Sequence, residues 1–126
     1  MKFLCLGYLN AAKMDARPKE EIDKVMSECR PYLEELYKTG RVLLDAGLES
    51  EFKSIRREEG KVRVVDGPFT ETKEMIGSAF LIEAEHLEEA VQIASLHPAV
   101  QVDAGSEFEW GIEIRPIHYF EMKKPK

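Results

Sequence analysis

Several things are scarce in this 126-residue chain, and each scarcity removes a class of explanation. Cysteine occurs twice, at Cys5 and Cys29, too few for the framework of bridges that staples a small secreted domain. Both fall in apolar surroundings, so they read as small buried hydrophobes in a reduced, cytoplasmic setting. Basic residues number 18 against 24 acidic ones, a net charge of −6, which makes nucleic acid and anionic membranes poor partners. No apolar run approaches the ~20 residues that cross a bilayer. The N-terminus opens like a signal peptide, but its apolar stretch is short and leads directly into a folded pattern, so we read it as a first strand. No G-x-G-x-x-G, P-loop or G-x-S-x-G occurs, which argues against nucleotide cofactors and hydrolase triads. His86, His97 and His118 show no metal-binding spacing, so no zinc site and no bound cofactor of any kind is expected.

What is present suits one soluble domain, placed at 1–120, with a polar tail at 121–126. Hydrophobic residues make up 44% of the chain, and burial of about two-thirds of the unfolded surface allows a real core. Residues 2–9 are almost continuously apolar, as in a strand covered on both faces. Asn10 to Arg17 breaks that pattern. A helix then starts at Pro18 with Glu20 and Glu21 near its positive end, and stops at Gly40. Its apolar face carries Ile22, Val25, Met26, Cys29, Leu33, Leu36 and Tyr37, and Pro31 is expected to bend it. Val42 to Leu44 forms a short run that turns at Asp45-Ala46-Gly47. Phe52–Arg57 and Val62–Val65 form a hairpin around Glu59-Gly60, ended by Asp66-Gly67-Pro68. A strand at Ser78–Glu83 leads to a helix bearing Leu87, Ala90, Val91 and Ala94, capped by His86 and closed by Pro98. Ala99 to Trp110 reads as a long irregular loop, and a last strand takes Ile112, Ile114 and Ile117 to Phe120.

The order β-α-β-β-β-β-α-β, with its central hairpin set aside, is the split pattern of a ferredoxin-like α+β sandwich. Two helices cover one face of such a sheet. The other calls for a second copy of the chain, so a sheet-to-sheet homodimer is expected.

Three stretches carry a family resemblance. They are Asp66-Gly67-Pro68-Phe69-Thr70-Glu71-Thr72-Lys73-Glu74 running through Ile76-Gly77 into Phe80-Leu81-Ile82, the helix closing on His97-Pro98, and Ile112-Glu113-Ile114-Arg115-Pro116-Ile117. Together they closely resemble the YCII-related proteins, in the branch known for its DGPF motif, from the first strand to about Ile117. The resemblance implies a dimeric α+β barrel of ferredoxin-like halves with a cleft between helices and sheet. Relatives pair a histidine on the first helix with an aspartate before the proline that ends the second. This chain has Cys29 and His97 at those positions, so the dyad does not carry over intact. Some relatives act on chlorinated aromatics, and others accompany alternative sigma factors.

Four residues stand out as candidates. His97, at the end of the second helix, is either a general acid–base favoured as imidazolium by the negative helix end, or a terminal histidine bonded to its own last turn. Cys29 is either a thiolate partner of His97 in a substrate site or core packing. Asp66 either orients His97 or holds the DGPF turn. Arg115 either clamps a substrate carboxylate or makes an exposed ion pair. Trp110, Phe108 and Tyr8 either wall an apolar pocket or seal a dimer interface. Two functions follow: a cofactor-independent enzyme on a small aromatic or carboxylated molecule, or a non-catalytic ligand-binding or interaction module serving a sigma-type transcription factor.

Overall fold

A computed structural model describes residues 1–70, 72 and 74–125. Glu71 and Lys73 of the expected motif, and Lys126 of the expected tail, lie outside the described residues.

The order of elements is β1 (Lys2–Asn10), α1 (Ala11–Asp15), α2 (Lys19–Lys38), β2 (Val42–Gly47), β3 (Lys53–Glu58), β4 (Lys61–Asp66), β5 (Glu74–Glu83), α3 (Leu87–Ala94), α4 (Pro98–Gln101), α5 (Ala104–Glu107) and β6 (Gly111–Pro116). Four strands form one antiparallel sheet in the order β2-β5-β1-β6, while β3 and β4 pair separately. With that hairpin set aside, the topology is the ferredoxin-like one: the first strand lies inside the sheet, next to the third. The expected α+β class is therefore observed.

The register explains the core. Cys5 pairs with Phe80 and Ile114, and Phe3 pairs with Ile82. Strand side chains alternate between faces, so these residues share one face. There they meet Leu36 of α2 and Ala90, Ile93 and Ala94 of α3 in a single buried cluster. Leu4, Leu6, Ala79 and Leu81 take the opposite face, away from the cluster that α2 and α3 join.

Several elements differ from expectation. The polar break after β1 holds a short helix, because the Asn10 side chain caps it by accepting from the Lys13 amide at 3.2 Å. Asp45-Ala46-Gly47 continues β2 rather than turning, since Asp45, Ala46 and Gly47 pair with Phe80, Ala79 and Ser78 of β5. The expected loop at 99–110 contains α4 and α5, anchored by buried Val102 and Phe108. The last strand ends at Pro116, one further ladder bond runs from the Ile117 amide to the Lys2 carbonyl at 3.0 Å, and His118 to Phe120 lies outside it. Helix α2 runs unbroken through Pro31, starting after Pro18 and ending before Gly40 at φ 71°. The hairpin turn is as expected: Glu59 and Gly60 take φ 50° and 77°, the pair of positive angles that matches strand twist.

Candidate active site

A cleft of about 280 Å³ opens between α2, the sheet and the α3–α4 corner. Only Cys29 and Leu36 of α2 are buried, and Met26 is 51% exposed, so the N-terminal half of this helix overhangs the sheet without sealing it. The floor is narrow where β1 meets β5: a Cβ on Gly7 would collide with the Ser78 hydroxyl, so glycine is what leaves this space open. Met14, Met26, Leu33 and Trp110 supply apolar walls, and Tyr8 closes one end.

His97 lies at the base of the cleft. Helix α3 ends earlier, at Ala94, with Ser95 as its cap, and the backbone N–H of His97 donates to the Ala94 carbonyl at 3.0 Å. The side chain then turns to the next element: Nδ1 accepts from the Ala99 amide at 3.0 Å and caps α4. The ring is 9% exposed and stacks parallel on Phe80, with centroids 4.9 Å apart. Burial holds its pKa below the ordinary value, and the carboxylate of Asp45 opposes that shift. The expected imidazolium is thereby corrected. Desolvation favours the neutral ring, and an Nδ1 that accepts a hydrogen bond leaves the proton on Nε2. With Nδ1 engaged, Nε2 is the remaining polar atom of the ring, and His97 is among the residues that line the cleft.

Asp45 and Tyr37 are the residues that sequence reasoning missed. Asp45 is in register with Phe80, the residue beneath the His97 ring, so β2 delivers a carboxylate to the same end of the cleft. The Tyr37 hydroxyl of α2 donates to this carboxylate, which raises the phenol pKa. An acidic residue closing an apolar run was the available signal, and Asp-Ala-Gly read instead as turn chemistry.

The structure brings Cys29 to the cleft with His97, but not as a thiolate. Its Sγ donates to the Val25 carbonyl at 3.4 Å, and burial with the Glu28 charge pushes its pKa up. Asp66 and Arg115 are not brought there. Asp66 stands on the separate hairpin, 88% exposed and paired with Lys53 at 2.7 Å, because β3 and β4 never join the main sheet. Arg115 pairs with Leu4 in the ladder, so the pleat points it to the face opposite the buried cluster, where it meets Glu113 at 3.3 Å. Trp110 and Tyr8 do line the cleft, and Phe108 lies buried behind Trp110 at 5.8 Å. Among the described residues no three His, Cys, Asp or Glu side chains gather as a metal site, and no helix is long and apolar enough to cross a membrane.

An uncharacterized protein of Rhizobium meliloti (strain 1021) is 28% identical over 123 residues, covering 96% of this chain and 95% of its own length. Among solved structures, the 5-chloro-2-hydroxyhydroquinone dehydrochlorinase of Burkholderia phenoliruptrix AC1100, in complex with 2,5-dihydroxybenzoquinone, matches at a TM-score of 0.48. That match has 17% identity and covers 95% of this chain and 96% of that one. The model of the YCII-related domain matches residues 1–113, and the chain belongs to that family.

Proposed function

We propose that the protein is a cofactor-independent enzyme, of the DGPF branch of its family, that moves a proton within a small, uncharged, ring-bearing molecule. The observation that carries this reading is that His97, with its Nδ1 held by the Ala99 amide, and Asp45 line one apolar cleft. No lysine or arginine occurs among the described lining residues, so no cationic side chain there offsets the repulsion between Asp45 and a carboxylated ligand. This lining supports the aromatic half of the expected ligand class over the carboxylated half.

The roles follow from the protonation states. His97 acts as a neutral donor to a ligand oxygen, because becoming a base at Nε2 would require its proton to leave or to displace the Ala99 bond. The Asp45 carboxylate, held by the Tyr37 hydroxyl, takes a proton from a neighbouring C–H or O–H. Negative charge develops on the oxygen facing His97, and Asp45 returns the proton at a second position. The net change is a tautomerisation, which needs no electron acceptor.

A homodimer in a reducing cytoplasm completes the proposal. Leu4, Leu6 and the 57%-exposed Leu44 lie on the sheet face away from α2 and α3, and a second copy laid there would close a barrel. The second reading is a ligand-binding module, for example beside a sigma-type factor. It is favoured by the exposure of Asp45 and Tyr37 at the cleft rim, where water competes with proton transfer.

Deuterium exchange into a cyclic ketone such as cyclohexanone, followed by NMR together with ketone-induced shifts at His97, tests both readings. The enzyme reading expects exchange that Asp45→Asn abolishes while binding persists. Binding without exchange selects the module. No shift at His97 with cyclic ketones or phenols would remove the cleft as a small-molecule site.

A further inference from the structure

Among the described residues, the arm made by the β3–β4 hairpin pairs with no other strand. Its two strands form their own sheet, and a two-stranded ribbon alone is marginal in water. In the register, Ile55 faces Val64 and Arg57 faces Val62, so these side chains share one face of the ribbon. Ile55, Val62 and Val64 are 68%, 63% and 56% exposed, a contiguous β-branched row left in solvent. The opposite face is internally satisfied: Glu58 holds both Arg56 and Arg63, and Phe69 lies under the Arg56 guanidinium at 4.1 Å. Residues 53–65 carry five basic and two acidic side chains, in a chain whose net charge is −6.

A second feature has the complementary character. A groove of about 530 Å³ lies between the β2–β3 connection and the start of β5. Leu48, Phe52 and Ile76 give it apolar walls, Glu49, Glu51 and Glu74 give it a negative rim, and no basic residue is among its described lining. The arm does not fill its own groove. It begins at Lys53, immediately after the wall residue Phe52, and the Gly67 amide donates to the Phe52 carbonyl at 2.8 Å to close its base. No slack remains for folding back.

We propose that the arm of one protomer lays Ile55, Val62 and Val64 into the acidic groove of a second copy, and that the exchange is reciprocal. A two-fold pair satisfies both features twice with one contact type. Arg57, whose guanidinium meets the Gly60 carbonyl and, among the described residues, no carboxylate, is placed on the docking face to meet the Glu rim. Tyr8 walls both this groove and the candidate active-site cleft, so the partner's arm bears on the site itself. The inference rests on the self-association proposed above, but it names a surface that sheet-to-sheet pairing does not require.

Sedimentation equilibrium of the whole chain, with variants at exposed positions that leave the circular dichroism unchanged, provides the test. Val64→Asp is expected to raise the dimer dissociation constant at least tenfold, as is Glu74→Arg. Combining Arg57→Glu with Glu74→Arg is expected to recover most of the loss. When separately purified Val64→Cys and Ile76→Cys chains are mixed and mildly oxidised, a mixed disulfide dimer is expected. A dimer indifferent to Val64→Asp, with no mixed disulfide, overturns the arm and leaves sheet-face pairing standing. A wild-type monomer at micromolar concentration overturns both.

Discussion

Replacing His97 separates its structural work from its chemical work. In His97→Ala the α4 cap is lost, at about 1 kcal/mol, and the stacked contact with Phe80, worth about 1 kcal/mol more. The hole left in a site 9% exposed adds a similar amount, for a total of about 3 kcal/mol. A domain of this length shifts its Tm by about 4 °C per kcal/mol, so a fall of about 12 °C is expected. His97→Asn restores an oxygen that can accept from the Ala99 amide, so its fall is expected to be about 8 °C. A second readout concerns pH. The folded-state pKa of His97 is depressed below 6.5 by burial, so the unfolded chain takes the proton first. Its contribution to stability is full above that value and is lost as pH falls through the folded-state pKa. Thermal melts between pH 7.5 and 5 are therefore expected to show a steeper loss for wild type than for His97→Asn. Equal slopes, or an alanine variant as stable as the asparagine one, would show that the ring is neither buried neutral nor a cap.

Asp45→Asn is expected to lower the pKa of His97 further, since its charge now opposes the burial shift, and to return the Tyr37 phenol toward 10; NMR and ultraviolet titrations read the two. Cys5, whose thiol is pushed up to about 11, and Cys29, also raised, are expected to resist iodoacetamide at pH 8 in the native protein and to react fully in denaturant, as mass spectrometry would show. Gly105→Ala should destabilise by about 2 kcal/mol in urea, although alanine is the better helix former, because its Cβ would stand 2.7 Å from the Ala99 carbonyl and 3.3 Å from the Trp110 ring. Asp66→Asn and Arg115→Ala are expected to leave cleft binding by NMR unchanged, since both side chains pair in solvent away from it.

Elements with a strong period were legible in the sequence. The apolar run of β1, the face of α2 and the turn at Glu59-Gly60 each rest on local chemistry, and local chemistry survives folding. The errors arose where tertiary pairing overrode it. Asp-Ala-Gly has turn composition, yet β5 supplies it with a ladder partner. The polar stretch after Pro98 folds into two short helices because Val102 and Phe108 find a hydrophobic seat invisible along the chain. His97 lines the cleft as the cap of α4 rather than as the end of the second helix, and burial lowers its pKa, because both burial and the direction of its Nδ1 bond depend on the third dimension. Asp66 and Arg115 attracted attention through motif and residue type, and neither reveals which side of a pleat, or which sheet, a side chain joins.

The place of β1 has a consequence for how the chain reaches this state. Of the four strands of the main sheet, the one synthesised before the others is an interior one, and its neighbours pair Phe3 with Ile82 on one side and with Pro116 on the other. At synthesis rates of ~5–20 residues per second, its apolar residues wait several seconds for β5 and longer for β6. Closure over such sequence separations also makes folding slow. During that interval KFLCLGYL is an exposed apolar segment of the nascent chain, and helix α2, which can form locally, is an early cover for it. Extensions at the C-terminus should therefore delay maturation little, whereas deletion of the first ten residues removes the strand on which both sides of the sheet assemble.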